Sequence, residues 1–174
     1  MPEIGIYGSQ PTSPHTHASP VQGGQLSPAT ALNPSINRDC RVYKNGNQSI
    51  NAGATAKITA WLASIDAGAD FDIANSKYIC PANGRLLVYA QLAFLLMADA
   101  KAANCHIYKG GAEIAKGYQN ASLANASPMP SVLNLINVAI GDQIEIYGTN
   151  GDAAARDVSG DTKISYAVFR YLLP

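Results

Sequence analysis

The sequence predicts an all-β protein, an antiparallel sandwich or barrel, preceded by an extended proline-rich arm. Short apolar segments recur between turn residues, one of them alternates with period two, and a long stretch near the N-terminus carries no charge. Many short strands with regular turn signals are typical of antiparallel sandwiches and barrels. The 174 residues suffice for one domain plus an extension.

A change in composition near residue 37 separates the arm from the rest of the chain. Ile4 to Asn37 contains no Asp, Glu, Lys or Arg, and six of the ten prolines precede residue 37. Proline at this spacing blocks a helix or a central strand, and such a segment cannot form its own core. We expect an arm over residues 1–36 and a folded domain over residues 37–174. A disordered tail is the alternative, but the arm carries spaced apolar residues suited to contact a surface: Ile4, Ile6, Tyr7, Val21, Leu26 and Leu32.

The folded domain contains a series of predicted strands. Residues 143–147 alternate between polar and apolar, which indicates a half-buried strand between turns. Residues 86–96 are apolar on both faces, but Pro81 and Gly84 just before them favour a long central strand over a buried helix. The predicted strands are Arg41–Tyr43, Thr55–Trp61, Lys77–Ile79, Arg85–Leu96, Asn104–Tyr108, Ser131–Val138, Gln143–Tyr147 and Lys163–Leu172.

The charge composition argues against nucleic-acid and membrane partners. Charged residues make up 14% of the chain, with 12 basic and 12 acidic residues, against about 25% in an average soluble protein. A neutral chain without a Lys/Arg cluster is a poor ligand for nucleic acid or an anionic membrane. The shortage of charge suggests that other chains cover much of the surface.

The cysteine pattern and the N-terminal residues predict the compartment in which the protein is made. Cys40, Cys80 and Cys105 are odd in number and widely spaced, so we expect free buried thiols rather than a disulfide framework. The N-terminus has no signal-peptide pattern, and the longest apolar run, residues 86–98, is too short to span a bilayer. We expect synthesis in a reducing cytoplasm.

The β region, roughly residues 38 to 174, resembles the jelly roll of the complement globular head and tumour-necrosis-factor families. The matching pieces stand in the family's order. They are Arg41-Val42-Tyr43, Gln48-Ser49-Ile50, Phe71-Asp72, Tyr78-Ile79-Cys80-Pro81-Ala82-Asn83-Gly84, the strand Leu86 to Leu96, Ile107-Tyr108-Lys109-Gly110-Gly111, Val138-Ala139-Ile140-Gly141-Asp142-Gln143-Ile144-Glu145-Ile146, and Tyr166-Ala167-Val168-Phe169. At Gly110, glycine replaces the usual Asn of the family's hairpin turn.

The resemblance implies a homotrimeric, antiparallel jelly-roll sandwich. Members pack three jelly rolls around an axis through aromatic and aliphatic strand faces, which would explain the low charge. Apolar residues that would otherwise face water would be buried in such a trimer. The expected interface residues are Leu87, Tyr89, Leu95, Tyr166 and Phe169.

A jelly roll with a short proline-rich arm resembles the small trimeric virion proteins of tailed bacteriophages. These are head decoration proteins, head fibres and tail-fibre tips. Residues 14–20, Pro-His-Thr-His-Ala-Ser-Pro, followed by Gly-Gly-Gln-Leu at 23–26, also look like linkers of phage fibre and spike proteins. The resemblance implies a virion location on the outer surface of the capsid.

His15 and His17 form the sharpest local motif. In an extended segment their side chains point the same way, and around a threefold axis six imidazoles could surround iron or another transition metal. Phage fibres with such segments bind iron in this way, so the resemblance implies a metal at His15 and His17. The competing interpretation is two polar histidines in a tail with no cofactor.

Other candidate sites are less specific. Two acidic loops, at residues 66–72 and 152–161, could bind calcium, but Asp is also an ordinary turn residue, and we favour turns. Cys105 and His106 are adjacent on a predicted strand and should point to opposite faces. No Gly-x-Ser-x-Gly elbow or phosphate loop is present, so we expect no enzymatic activity. A polysaccharide-degrading enzyme remains open, because paired carboxylates depend on tertiary structure.

These observations lead to two main hypotheses. In the first, the chain is a trimeric capsid decoration protein, a cement or head-fibre protein, whose arm binds the major capsid protein. In the second, it is a receptor-binding tail-fibre tip that binds host surface glycan through loops at Gly117–Met129 and Thr149–Asp161. The first loop offers one aromatic residue, Tyr118, and the second offers none, which favours decoration.

Overall fold

The computed structural model describes residues 38–172. The predicted arm over residues 1–36 therefore lies outside the described residues. Within them, no helix is long and apolar enough to cross a membrane. The strands are β1 (Cys40–Lys44), β2 (Gln48–Ile50), β3 (Thr55–Lys57), β4 (Trp61–Asp66), β5 (Phe71–Asp72), β6 (Lys77–Ile79), β7 (Gly84–Gln91), β8 (Ala102–Lys109), β9 (Ala112–Asn120), β10 (Ser131–Val138), β11 (Gln143–Asn150), β12 (Arg156–Val158) and β13 (Tyr166–Leu172).

The strands form two antiparallel sheets and a small third pair. The five-stranded sheet has the order β10-β7-β13-β1-β4. The six-stranded sheet has the order β5-β6-β11-β8-β9, with β3 also paired to β11. Strands β2 and β12 pair with each other. Strands distant in sequence become neighbours, as when the last strand, β13, lies between β1 and β7.

The core lies between the two sheets and follows from period-two alternation. Leu86, Val88 and Ala90 of β7 are fully buried, while the residues between them are partly exposed. Ile144 and Ile146 of β11 are buried from the opposite sheet. Successive side chains of a strand point to opposite faces, so each sheet contributes alternate residues to the core.

The long strand predicted over Arg85–Leu96 ends early, at Gln91. Leu92, Ala93 and Phe94 are all fully buried, whereas a regular strand would turn every second side chain away from the core. The chain therefore leaves the sheet. The backbone N–H of Leu92 donates to Pro130, that of Phe94 to Pro128, and that of Leu95 to Asp157.

Strands β3, β4 and β9 also differ from the sequence prediction, and β13 begins at Tyr166 rather than at Lys163. The segment predicted as Thr55–Trp61 is split into β3 and β4, with Ala60 in the left-handed region at φ 55° between them. The sequence prediction places the C-terminal part of β9 in the loop Gly117–Met129. Most of its residues are exposed and it has no alternating apolar face, so it carries no periodic signal. Its pairing with β8 defines it instead.

Candidate interaction surface

The outward side of the five-stranded sheet carries a patch of apolar side chains, bordered by Gln91 and Arg170. Leu133 lies opposite Tyr89, and Leu135 lies opposite Leu87, in the β10–β7 register. Val168 lies opposite Tyr89 on the other side of β7. Directly opposed residues of an antiparallel pair share one face of the sheet. We call Leu87, Tyr89, Leu133, Leu135, Tyr166 and Val168 the apolar face.

Two leucines of the apolar face are exposed to solvent in the single chain, although leucine is usually buried. Leu133 is 63% exposed and Leu135 is 38% exposed. Their strand neighbours Val132 and Ile136 face the core and are buried. Strand β10 is therefore apolar on both sides, which in a sandwich indicates that the outward side also contacts something.

Aromatic and polar groups extend the apolar face toward β1. The rings of Tyr89 and Tyr166 lie 5.7 Å apart. The Tyr89 hydroxyl donates to the Gln91 side-chain oxygen at 3.1 Å, and burial raises the pKa of Tyr89. The Arg41 guanidinium lies 5.0 Å from the centre of the Tyr166 ring, a cation–π contact.

The structure brings together three of the five residues expected at an interface, namely Leu87, Tyr89 and Tyr166. The prediction is wrong for Phe169, which is fully buried in the core and stacks on Tyr78 with ring centres 4.7 Å apart. Tyr166 and Phe169 are three residues apart on β13, so alternation places them on opposite faces.

Leu95 also departs from the expected interface. It follows the end of β7, and its backbone N–H donates to Asp157 at 2.8 Å. It lines a pocket with Leu96, Arg156 and Asp157, away from the apolar face. Sequence reasoning missed Leu133, Leu135 and Val168, although the apolar residues on both sides of residues 131–138 were a usable signal.

The arm residues and the histidine pair lie outside the described residues. This applies to Ile4, Ile6, Tyr7, Val21, Leu26 and Leu32, and to His15 and His17. Within residues 38–172, no group of three or more His, Cys, Asp or Glu side chains is arranged to hold a metal ion.

The acidic loop at residues 66–72 is built as hydrogen-bonded turns. Asp66 accepts backbone N–H bonds from Asp70 at 2.9 Å and Phe71 at 3.2 Å. Asp70 forms an ion pair with Arg38 at 2.9 Å. Asp72 accepts hydrogen bonds from Asn75. These carboxylates close turns, as the sequence predicts for this loop.

Asp152 organises the second acidic loop. It accepts the backbone N–H of Ala98 and the Arg156 guanidinium, both at 2.7 Å. The hydrogen bond from Ala98, together with the ion pair to Arg156, lowers the pKa of Asp152 to about 2 despite its burial. This carboxylate therefore ties the segment after β7 to the start of the loop between β11 and β12.

Cys105 and His106 lie on opposite faces of β8. Cys105 is fully buried in the core, and burial raises the pKa of its thiol. His106 lies on the outward face, with Nδ1 2.8 Å from Glu113 and Nε2 2.7 Å from the Thr149 hydroxyl. Burial also raises the pKa of Cys40 and of Cys80 to about 12, so these free thiols stay protonated and unreactive.

Comparison with solved structures identifies the fold. The domain is similar to the Eiger TNF of S. frugiperda, with a TM-score of 0.61 and 14% identity over 79% of this chain and 93% of that chain. Murine APRIL at pH 5.0 matches with a TM-score of 0.61 and 12% identity over 78% of this chain and 99% of that chain. The globular domain of zebrafish complement 1qA protein matches with a TM-score of 0.57 and 13% identity, covering 78% and 98%.

These similarities confirm the predicted fold class. The described domain is a jelly roll of the tumour-necrosis-factor and complement globular-head type, all-β and antiparallel. No protein-family model and no curated protein sequence matches the chain. Identities of this size establish the fold, and a fold of this kind serves unrelated functions through different surfaces.

Proposed function

We propose that the chain is a homotrimeric structural protein of a phage virion, which decorates the outer surface of the capsid. The observation that carries the homotrimer in this proposal is the apolar face, where Leu133 remains 63% exposed in the single chain. The virion role rests on the resemblance of a jelly roll with a proline-rich arm to small trimeric phage proteins. Fully burying a leucine side chain contributes about 1.5–3 kcal/mol. Leu133 and Leu135 are the most exposed members of the apolar face, and the other four are partly buried in the single chain. Burying what remains exposed on every copy favours self-association, and a closed ring leaves none of these faces in water.

The arm supplies the attachment to the capsid in this proposal. Residues 4–37 contain no charged side chain, yet apolar residues are spaced along them. A segment that orders only on its target binds with modest affinity for each chain. Three arms on one trimer raise the overall affinity through effective concentration. The partner is the major capsid protein, and a trimer that bridges neighbouring capsid subunits would oppose rupture of the shell.

A receptor-binding tail-fibre tip for host surface glycan is the second candidate. One observation favours it: Tyr118 of β9 is 71% exposed, and exposed aromatic rings stack on sugars. Leu123 and Met129 are also exposed in the following loop. The two candidates share the trimer and differ in what the virion protein contacts.

Binding to phage heads tests the decoration role. Labelled protein is mixed with undecorated heads and, separately, with host cells, and saturable binding is measured. We expect the full chain to saturate the heads and a chain lacking residues 1–36 to lose this binding while it remains folded and trimeric. A second variant, with Ile4, Ile6 and Leu26 each changed to Ser in the full chain, should weaken head binding without shortening the arm.

The outcomes separate the two candidates. Saturation of heads by the truncated chain contradicts the role of the arm. Binding to cells but not to heads contradicts decoration and supports the receptor-binding tip.

A further inference from the structure

A second feature of the domain is a pocket beside the apolar face, at the β1–β4 edge of the five-stranded sheet. Its volume is about 340 Å³, which falls at the lower end of the range of small-ligand sites. We call it the basic pocket. Its lining residues are Arg41, Tyr43, Ser64, Thr162 and Lys163.

Local backbone features bring these residues together. Arg41 and Tyr43 are two apart on β1 and therefore share the outward face. The β1–β4 register shifts between Arg41 and Val42, which makes Ser64 the extra residue of a β-bulge. The Ser64 hydroxyl donates to the Arg41 carbonyl at 3.2 Å, so the bulge holds it against β1.

The turn before β13 completes the pocket. The Asp161 carboxylate accepts the backbone N–H of Lys163 at 2.8 Å, and the Asp161 carbonyl accepts those of Ile164 and Ser165. These bonds fix the backbone of Thr162 and Lys163 beside β1. Asp161 itself is not among the residues that line the pocket.

The side chains that line the basic pocket carry only positive charge. Its described lining includes two cationic side chains and no carboxylate. The ion pairs of residues 38–172 engage other cations, and neither Arg41 nor Lys163 belongs to one of them. The Arg41 guanidinium carbon lies over the Tyr166 ring, 5.0 Å from its centre. This cation–π contact holds the group beside the pocket, and a guanidinium carries five N–H donors.

We infer that the basic pocket binds a small oxyanion, a carboxylate, sulfate or phosphate, between Arg41 and Lys163. An arginine fork matches the geometry of such anions, and a lysine ammonium adds a second positive charge. The hydroxyls of Thr162 and Tyr43 supply further donors, while the Ser64 hydroxyl is engaged by the Arg41 carbonyl. The anion is either free in solution or carried on an acidic sugar, because both present the same chemistry.

Calorimetric titration of the full chain at low ionic strength tests this inference. The probes are sodium sulfate, sodium phosphate and sodium glucuronate, with glucose as the uncharged counterpart. We expect one saturable anion site per chain and no binding of glucose. Arg41→Gln and Lys163→Gln should each weaken binding about tenfold, because each removes a charge-assisted hydrogen bond. Lys101→Gln is the matched control, since Lys101 is exposed and outside the pocket.

Light scattering on the same samples measures the oligomeric state. A chain that forms trimers but binds no anion contradicts the anion site alone, whereas a monomeric chain contradicts the proposed trimer. Tighter binding of glucuronate than of sulfate identifies a sugar-borne anion, and equal binding identifies a free one. Unchanged affinity in both pocket variants overturns the inference. So does dissociation of the assembly in Arg41→Gln, because Arg41 then serves the contact between copies.

Discussion

His106 is nearly fully buried although its side chain lies on the outward face of the six-stranded sheet. Its ring nitrogens contact Glu113 on β9 and Thr149 on β11, and Thr149 in turn shares a hydrogen bond of 2.6 Å with Thr55 on β3. The imidazole is therefore part of a hydrogen-bonded network of polar side chains that spans the four strands β9, β8, β11 and β3. Burial lowers the pKa of His106 below its ordinary value of 6.5, outweighing the nearby Glu113, which acts to raise it.

This pKa shift predicts a loss of stability in mild acid. The unfolded chain takes up a proton near the ordinary pKa of histidine, while folded His106 stays neutral to lower pH. The free energy of unfolding should therefore fall between about pH 7.5 and about pH 5.5. Urea denaturation at these two pH values measures it. His106→Gln should reduce the pH dependence.

Glu113→Gln provides the control for this prediction. It removes the group that raises the pKa of His106, so the acid-induced loss should become larger than in the natural chain. Stability that is constant or rises toward pH 5.5 in the natural chain would show that Glu113, rather than burial, governs His106.

At the scale of elements, the close approach of β9 to β10 depends on Gly117. A side-chain carbon at this position would lie 1.8 Å from the carbonyl oxygen of Ser131, the first residue of β10. That oxygen belongs to the backbone and cannot rotate away. Strand β9 can therefore approach Ser131 this closely only because residue 117 carries no side chain.

We predict that Gly117→Ala lowers the free energy of unfolding by about 1–3 kcal/mol, the usual cost of overpacking. Asn120→Ala, an exposed substitution on the same strand, should change it by less than about 0.5 kcal/mol. Urea denaturation compares the two variants. Equal stability of both would mean that β10 moves aside without cost.

For the whole molecule, the oligomeric state decides whether the apolar face is exposed to water or buried between copies. Leu133 is 63% exposed in the single chain, so a polar residue at this position costs the isolated domain little. In a trimer packed through the apolar face, the same residue would be buried. A charge placed there without a partner would oppose assembly.

We therefore predict that Leu133→Asp weakens self-association by at least about a hundredfold, from lost apolar burial and a desolvated charge. Sedimentation equilibrium should report a mass near the 18.2 kDa of one chain in place of three. Leu123→Asp is the matched control, because Leu123 is 70% exposed but lies off the apolar face. A natural chain that sediments as a monomer contradicts the proposed trimer.

Several elements could be predicted because their signal is local. Strands β6 and β10 have the predicted bounds, Lys77–Ile79 and Ser131–Val138, since alternation or turn residues mark them in the sequence. The exposed strand β9 and the short strand β12 carry no such signal in the sequence. They are defined by backbone hydrogen bonds to β8 and to β2, respectively.

The pattern of the sequence by itself determined the all-β, antiparallel class. The resemblance of its segments to the complement globular-head and tumour-necrosis-factor families predicted the jelly roll and pointed to the two tyrosines and one leucine that meet on the apolar face. Only the tertiary structure decided that Phe169 faces the core while Tyr166 faces outward, and that Leu95 leaves the sheet. Only the tertiary structure brought Arg41 and Lys163 to one pocket. The physical reason is that alternation reveals two faces of a strand, whereas the pairing of distant strands decides which face is inside and which side chains become neighbours.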